Sequence, residues 1–271
     1  LQGALLILLV SYALNPVADA LRTDAPVSIA AMARFVGSPQ HREHWTHFTE
    51  AVRTGQSVIP TLRGMPAFEY LHSEPPLGAV FNDAMTSMSE FAIDPVVAAY
   101  DFTGYATIAD VGGGHGRLLA AILNAAPAAR GVLYDLPEVV EGAPAVLARF
   151  GVTERVAVES GSFFDAVPAG ADMYVMKNVI HDWADAESVA ILTSVRAAAR
   201  PGAKLLLLEA VIPEHHREFL PKWLDMEMLV SAGGRERTEA EYRALYQRAG
   251  FRLDRVVPTV TPFSLIEGVA V

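Results

Sequence analysis

The chain has 271 residues, no cysteine, and 21 basic against 31 acidic side chains, for a net charge of −10. That length suits one large domain, or one domain with a smaller companion. Without cysteine there are no disulfides, no thiolate chemistry and no cysteine-built zinc site, and the acidic balance argues against nucleic-acid or anionic-membrane surfaces, which need clustered Lys and Arg. Residues 1–10 are apolar but far short of the roughly 20 that a membrane helix needs, and they lack the basic flank of a signal peptide. A buried or partner-facing helix is expected there, with further residues upstream of Leu1, in a cytoplasmic protein. Helical windows follow at 28–36, 44–54, 65–71 and 77–91, broken by Pro26, Pro39, Pro60, Pro75 and Pro76.

From residue 107 the rhythm changes. Short apolar strands at 107–111, 131–136, 156–160, 172–177 and 204–211 alternate with helices at 118–124, 138–150, 185–199 and 238–249. The unbroken run of Leu205, Leu206, Leu207 and Leu208 fits a parallel strand buried on both faces. Two further strands, 251–257 and 264–271, follow without a helix between them and read as a hairpin at the sheet edge. The expected fold is α/β: a doubly wound, mostly parallel sheet over 96–271 with a C-terminal antiparallel hairpin, preceded by a smaller helical region over 1–95.

Ligands in such sheets bind beyond the carboxyl ends of the strands. That rule gathers Asp110 with residues 112–116, Asp135, residues 160–164, residues 177–182, and Glu209. The first strand ends in Asp110-Val111-Gly112-Gly113-Gly114-His115-Gly116, an acid followed by G-x-G-x-G and a helix. Gly112, Gly114 and Gly116 permit a sharp turn and close approach of a ligand to the backbone, and the helix start offers free N–H groups. Asp135 closes the next strand, where a carboxylate can grip ribose hydroxyls. A nicotinamide or flavin fingerprint would place the third glycine one residue later. Asp110 also favours the sulfonium and ammonium of S-adenosylmethionine over a pyrophosphate, which it would repel.

His181, after the fourth strand, is a candidate general base, with a capped structural histidine as the equal alternative. Glu209, amid leucines, and Glu236, at a helix entry, are the acids that could orient it. His41, His44 and His47 share a helix face and are read as an exposed polar face rather than a zinc site. No metal is expected, and His115, His215 and His216 receive no role.

With these residues in view, the chain resembles the S-adenosylmethionine-dependent small-molecule O-methyltransferases, the family of plant caffeate and chalcone methyltransferases and bacterial polyketide relatives. The resemblance rests on residues 110–116, on Tyr134-Asp135-Leu136-Pro137, on Gly161-Ser162-Phe163-Phe164, on His181-Asp182-Trp183 and on Gly233-Gly234-Arg235-Glu236-Arg237-Thr238, in family order over most of residues 75–271. It implies a methyltransferase fold with a winged-helix dimerisation module. Residues 11–17 resemble the end of that module. It further implies that Gly112 and its neighbours hold the methionine end of the cofactor and Asp135 the ribose, with Asp110 and Leu136 also in the cofactor site. Phe163 would pack on the adenine and Lys177 would lie near the cofactor. Plant members carry Asp where Ser162 stands, which weakens or replaces one adenine-side hydrogen bond. His181 would be the base, flanked by Glu209 and Glu236, and Phe81, Met85, Met88, Trp223 and Met226 would line the acceptor pocket.

The implied reaction is transfer of the sulfonium methyl of S-adenosylmethionine to an aromatic hydroxyl, leaving S-adenosylhomocysteine, in a homodimer that needs neither nucleic acid nor membrane. Three rivals remain at this level. They are a same-fold hydroxylase or decarboxylase of a polyketide, a non-catalytic metabolite-sensing regulator, and a nicotinamide dehydrogenase. Retention of His181 with both acids, the acidic balance and the glycine spacing weigh against each in turn.

Overall fold

Seven strands build one sheet: β1 (Thr107–Val111), β2 (Arg130–Asp135), β3 (Val156–Ser160), β4 (Met173–Lys177), β5 (Lys204–Ala210), β6 (Phe251–Pro258) and β7 (Phe263–Ala270). Their order is β3-β2-β1-β4-β5-β7-β6 in the computed structural model, which describes residues 14–25, 28–214 and 219–271. The first five pair in parallel, and β7 joins β5 antiparallel with β6 outside it. The expected strands and edge hairpin are therefore present, displaced by at most one residue at any end. Strand order reverses between β1 and β4, which opens a crevice at their carboxyl ends.

Side chains alternate across the sheet into two cores. Val111, Leu205 and Leu207 face the helices Asp185–Ala198 and Glu239–Arg248 through Ile191, Leu192, Val195, Tyr242 and Tyr246. Ile108, Leu206 and Leu208 face the helix Arg117–Ala125 and the last turns of the helix Pro75–Ala98 through Leu118, Leu119, Ile122, Ile93 and Val96. Each β5 leucine is fully buried, and burial of this kind contributes about 1.5–3 kcal/mol per side chain. Thr238 starts Glu239–Arg248 with a reciprocal cap: its hydroxyl accepts from Glu241 N–H while the Glu241 carboxylate accepts from Thr238 N–H.

Several helices depart from the sequence reading, mostly because proline opens a helix as readily as it ends one. Ser38 caps Pro39–Thr46 with Pro39 in the first turn, and a second helix, Phe48–Thr54, follows after His47, where one helix over 44–54 was expected. Pro75 and Pro76 begin a 24-residue helix, Pro75–Ala98, that continues through Pro95 because Ala92, Ile93 and Val96 are fully buried there. This helix also passes unbroken through the expected division at residue 95. Leu77 packs with Ile59 and Tyr70 of the N-terminal region at one end, while Ile93 and Val96 join the sheet at the other. The stretch 138–150 splits into Pro137–Val140 and Ala143–Arg149, since Pro144 has no N–H to carry the helical ladder across. Pro16–Asp19, Ile59–Arg63 and Leu220–Val230 were not anticipated.

The exposed face expected for His41, His44 and His47 is corrected for two of the three. His41 and His44 are each only 6% exposed. His41 Nε2 lies 3.1 Å from both carboxylate oxygens of Glu227, and the Trp45 indole donates to the same group at 2.7 Å. Burial and the nearby Arg63 guanidinium push His44 down to about 4. The apolar residues 1–10, the first part of 11–17, and His215 with His216 lie outside the described residues. No helix among the described residues is long and apolar enough to cross a membrane.

Candidate active site

The crevice at the ends of β1 and β4 is lined first by the glycine turn. Gly112, Gly114 and Gly116 all have positive φ, the left-handed region that residues with a Cβ avoid. In that conformation Gly114 N–H reaches Asp135 at the end of β2, donating to Oδ2 at 2.8 Å, while Leu136 N–H donates to Oδ1 at 2.7 Å. A carboxylate offers about four acceptor sites, so two remain on Asp135 for a diol. Burial raises its pKa, opposed by these two backbone donors.

Asp110 is buried below Gly113, and neither of its oxygens accepts a hydrogen bond of ordinary geometry. Burial, reinforced by the charge of Asp135, pushes it up to about 7. Lys177 and the Leu119 N–H in the first turn of the next helix pull the other way. A buried, underpartnered acid beside a second acid is a site for a cation, which fits the charge of S-adenosylmethionine and not that of a pyrophosphate. Lys177, at the end of β4, sits between Asp110 and Glu209. Burial lowers its pKa and those two carboxylates raise it. Phe163 lies against Gly112 and meets Trp183 edge-on at 6.1 Å. The Ser162 hydroxyl accepts from Phe164 N–H at 3.2 Å, which leaves its own hydrogen to donate. Leu136 is exposed at the rim.

His181 stands in a short turn, Ile180–Asp182, directly after β4. Its Nδ1 is 2.9 Å from Glu236 Oε1 and 3.6 Å from Glu209 Oε2, and its Nε2 is 3.5 Å from Asp182 Oδ1. Glu209, fully buried at the end of β5, uses Oε1 to accept the N–H groups of Val179 at 3.1 Å and Ile180 at 2.8 Å. It therefore anchors the backbone of the turn while its other oxygen faces the ring. Glu236 is held in turn by Asp225, whose Oδ1 accepts the Glu236 N–H at 2.9 Å. Burial works against a charged imidazole, but Asp182, Glu209 and Glu236 together outweigh it and raise the His181 pKa. Burial likewise pushes Glu209 up to about 7 and Asp182 up to about 6. His181, Glu209 and Glu236 offer ligand atoms within 4.8 Å of one another, a spacing that a divalent ion can also use.

The acceptor-pocket candidates fall on two helices. Phe81, Met85 and Met88 are partly buried on Pro75–Ala98, and Phe81 meets Phe35 edge-on at 5.3 Å. Met226 is partly buried on Leu220–Val230, whereas Trp223 on the same helix is 51% exposed. Ala92 of the first helix and Leu224 of the second join one small apolar cluster with Phe263 and with Ala210, the residue after Glu209. Three residues here received no role from the sequence. Asp182 and Trp183 adjoin His181, and Trp183 gathers Phe68, Phe163 and Phe164 around it. Asp225 carried no sequence signal.

A family profile of the O-methyltransferase domain matches residues 45–252. O-demethylpuromycin-O-methyltransferase of Streptomyces alboniger is 41% identical over 270 residues, covering 96% of this chain and 71% of that protein. The crystal structure of LaPhzM superposes with a TM-score of 0.89 at 39% identity, covering 95% of this chain and 77% of that one. An O-methyltransferase of neocarzinostatin biosynthesis, NcsB1, solved with S-adenosylmethionine and 2-hydroxy-5-methyl naphthoic acid, superposes with a TM-score of 0.83 at 32% identity, covering 96% of this chain and 78% of that one. The chain belongs to the O-methyltransferase domain family, and S-adenosylmethionine is its methyl donor.

Proposed function

We propose that the chain methylates a hydroxyl of a small aromatic acceptor, phenolic or polyketide-like, with His181 as general base. The contact between His181 Nδ1 and Glu236 at 2.9 Å carries this reading. A carboxylate only accepts, so Nδ1 carries the hydrogen, and Nε2 is the nitrogen left to take a proton. Glu209 fixes the turn that presents the ring. When bound, S-adenosylmethionine supplies a methyl carbon activated by its sulfonium. Asp135 and the glycine turn would hold the ribose and methionine portions, Asp110 the positive charge, and Ser162 and Phe163 the adenine side, with Leu136 and Lys177 also near the cofactor. Phe81, Met85, Met88, Trp223 and Met226 supply apolar surface suited to an aromatic ring.

His181 would receive the hydroxyl proton as the oxygen becomes nucleophilic, and the flanking carboxylates would stabilise the imidazolium. General-base help of this kind gives about 10²–10⁴-fold, whereas alignment of two bound reactants can supply about 7–11 kcal/mol, so positioning outweighs the base. We place the helical region before about residue 95 in dimerisation. Leu14, Val17, Leu21, Ile29 and Val36 expose apolar side chains there, and a monomer by light scattering would remove this part of the reading.

The test pairs calorimetric titration with S-adenosylmethionine and S-adenosylhomocysteine with turnover on a panel of phenols. Asp135→Ala is expected to lose cofactor binding. His181→Ala is expected to keep it and lose about 10²–10⁴-fold in kcat. Unchanged turnover of His181→Ala on a good acceptor would sink the base assignment.

A further inference from the structure

Arg237 is the only arginine or lysine among the described residues with no solvent exposure. Its guanidinium donates from Nη1 to the carbonyls of Ile180 at 3.0 Å and Arg235 at 3.2 Å. Nη2 donates to the Trp183 carbonyl at 2.8 Å, to Asp185 Oδ1 at 2.9 Å and to the Ser188 hydroxyl at 3.3 Å, and Nε donates to Asp185 Oδ1 at 3.1 Å. Its single carboxylate partner, Asp185, has a side chain 48% exposed. A buried cation paired with one half-exposed acid is a poor stabilising device, and an apolar side chain of similar volume commonly serves stability as well or better. An apolar side chain cannot hold these three carbonyls.

Two of the three carbonyls, those of Ile180 and Trp183, bracket the turn that carries His181, and Arg237 itself follows Glu236 in the chain. Two further contacts run along the same seam. Arg235 N–H donates to the His181 carbonyl at 2.8 Å, and a Cβ on Gly234 would collide with that carbonyl, so only glycine lets the strands of chain lie this close. Ile212 N–H donates to the Arg237 carbonyl at 2.9 Å, which ties the seam to the chain leaving β5.

We propose that Arg237 is a positioning residue for catalysis: its guanidinium clamps the His181 turn against the segment bearing Glu236 and so sets the imidazole–carboxylate geometry. The inference rests on His181 being the base. The groups facing the imidazole are Asp182 from its own turn, Glu209 from β5 and Glu236 from the clamped segment, with Lys177 beside Glu209 and Tyr242 behind the two glutamates. Loosening the clamp should weaken the Glu236 contact first, since Asp182 moves with the imidazole on its own turn and Glu209 keeps its hold on the N–H groups of Val179 and Ile180.

The experiment compares wild type, Arg237→Lys, Asp185→Asn and His181→Ala with S-adenosylmethionine and one phenolic acceptor. Arg237→Lys keeps the charge and loses the fork. It is expected to bind S-adenosylmethionine within about 3-fold of wild type and to lose about 10–100-fold in kcat, the scale of a small misplacement near the chemistry. KM for the acceptor should change far less, and the acid limb of the kcat profile should move to lower pH. A wild-type kcat and pH profile overturns the proposal, as does a loss of kcat matched by loss of cofactor binding with the limb unmoved. If Arg237→Lys does not fold, Asp185→Asn decides. A smaller kcat loss with the limb moved the same way supports the clamp, and a wild-type profile overturns it. His181→Ala separates the layers: retained turnover and limb defeat the base reading and the clamp with it, whereas lost turnover beside an unaffected Arg237→Lys defeats the clamp alone.

Discussion

Glu209 and Glu236 divide the work of holding His181 unequally: Glu236 meets Nδ1 at 2.9 Å, while Glu209 stands 3.6 Å from it and spends its other oxygen on the N–H groups of Val179 and Ile180. The two acids should therefore fail differently. Glu236→Gln presents either an acceptor or a donor to Nδ1 and loses tautomer control, so kcat is expected to fall about 10²–10⁴-fold with little change in melting temperature. Glu209→Ala leaves two buried N–H groups without an acceptor, at about 1–3 kcal/mol each, and should show chiefly as lost stability. Steady-state kinetics and thermal melts on the two variants check this, and equal losses in both readouts would contradict it.

The pH dependence of rate follows from the same cluster. A base must be neutral, and the carboxylates of Asp182, Glu209 and Glu236 hold the proton on His181 above its ordinary 6.5, against the opposing effect of burial. The acid limb of kcat/KM should accordingly lie on the alkaline side of 6.5 and rise about tenfold per pH unit below it. Asp182→Asn removes a charge 3.5 Å from Nε2 and should move the limb to lower pH. A limb at or below 6.5 in the wild type would show that the resting imidazole is not held in this way.

How much of this was legible beforehand depends on how local each signal is. The strands from β1 onward could be read because each is a short apolar run with its own turn residues, and the glycine turn because its spacing is contiguous. His181, Glu209 and Glu236 could be gathered because each follows a strand end or a helix entry at one edge of the sheet. The helices beginning at Pro39, Pro75 and Leu220 are hidden in the sequence because proline in a first turn and proline as a breaker look alike there. The burial of His41 was illegible for another reason: its partner Glu227 lies 186 residues away, on a helix that carried no clear periodic signal. Asp225 and Arg237 act through backbone groups, whose positions exist only once the chain is folded.

Stability should decline from mildly acidic to alkaline pH. His181 is raised from 6.5 to about 10, Glu209 from 4.5 to about 7, Asp110 from 3.8 to about 7 and Asp182 from 3.8 to about 6. Each binds its proton more tightly folded than unfolded, so its contribution is complete below the unfolded value and is lost as pH rises through the folded one. Glu227, Asp185 and Glu267 are depressed, by His41, by Arg237 and by Lys204 with Arg255 against the cost of burial, and their contribution is lost in acid instead. Melting temperature measured from pH 4 to 10 is expected to peak at mildly acidic pH, and His181→Gln should flatten the decline between 6.5 and 10. A plateau from neutral to alkaline pH in the wild type would argue that the imidazole proton is not retained.

Cofactor binding should itself move protons. Asp110 is buried, lies near Asp135 and is pushed up to about 7, so near neutral pH it is partly protonated before a ligand arrives. A cation bound beside it favours the carboxylate form and lowers that pKa, which releases up to about one proton on association. Calorimetric titrations with S-adenosylmethionine near pH 7, in buffers of different ionisation enthalpy, read the release directly. Asp110→Asn should abolish it and weaken binding, because an amide contributes the shape but not the charge. Binding of equal strength with no proton exchange in either protein would mean that the cofactor's positive charge is met elsewhere in the crevice.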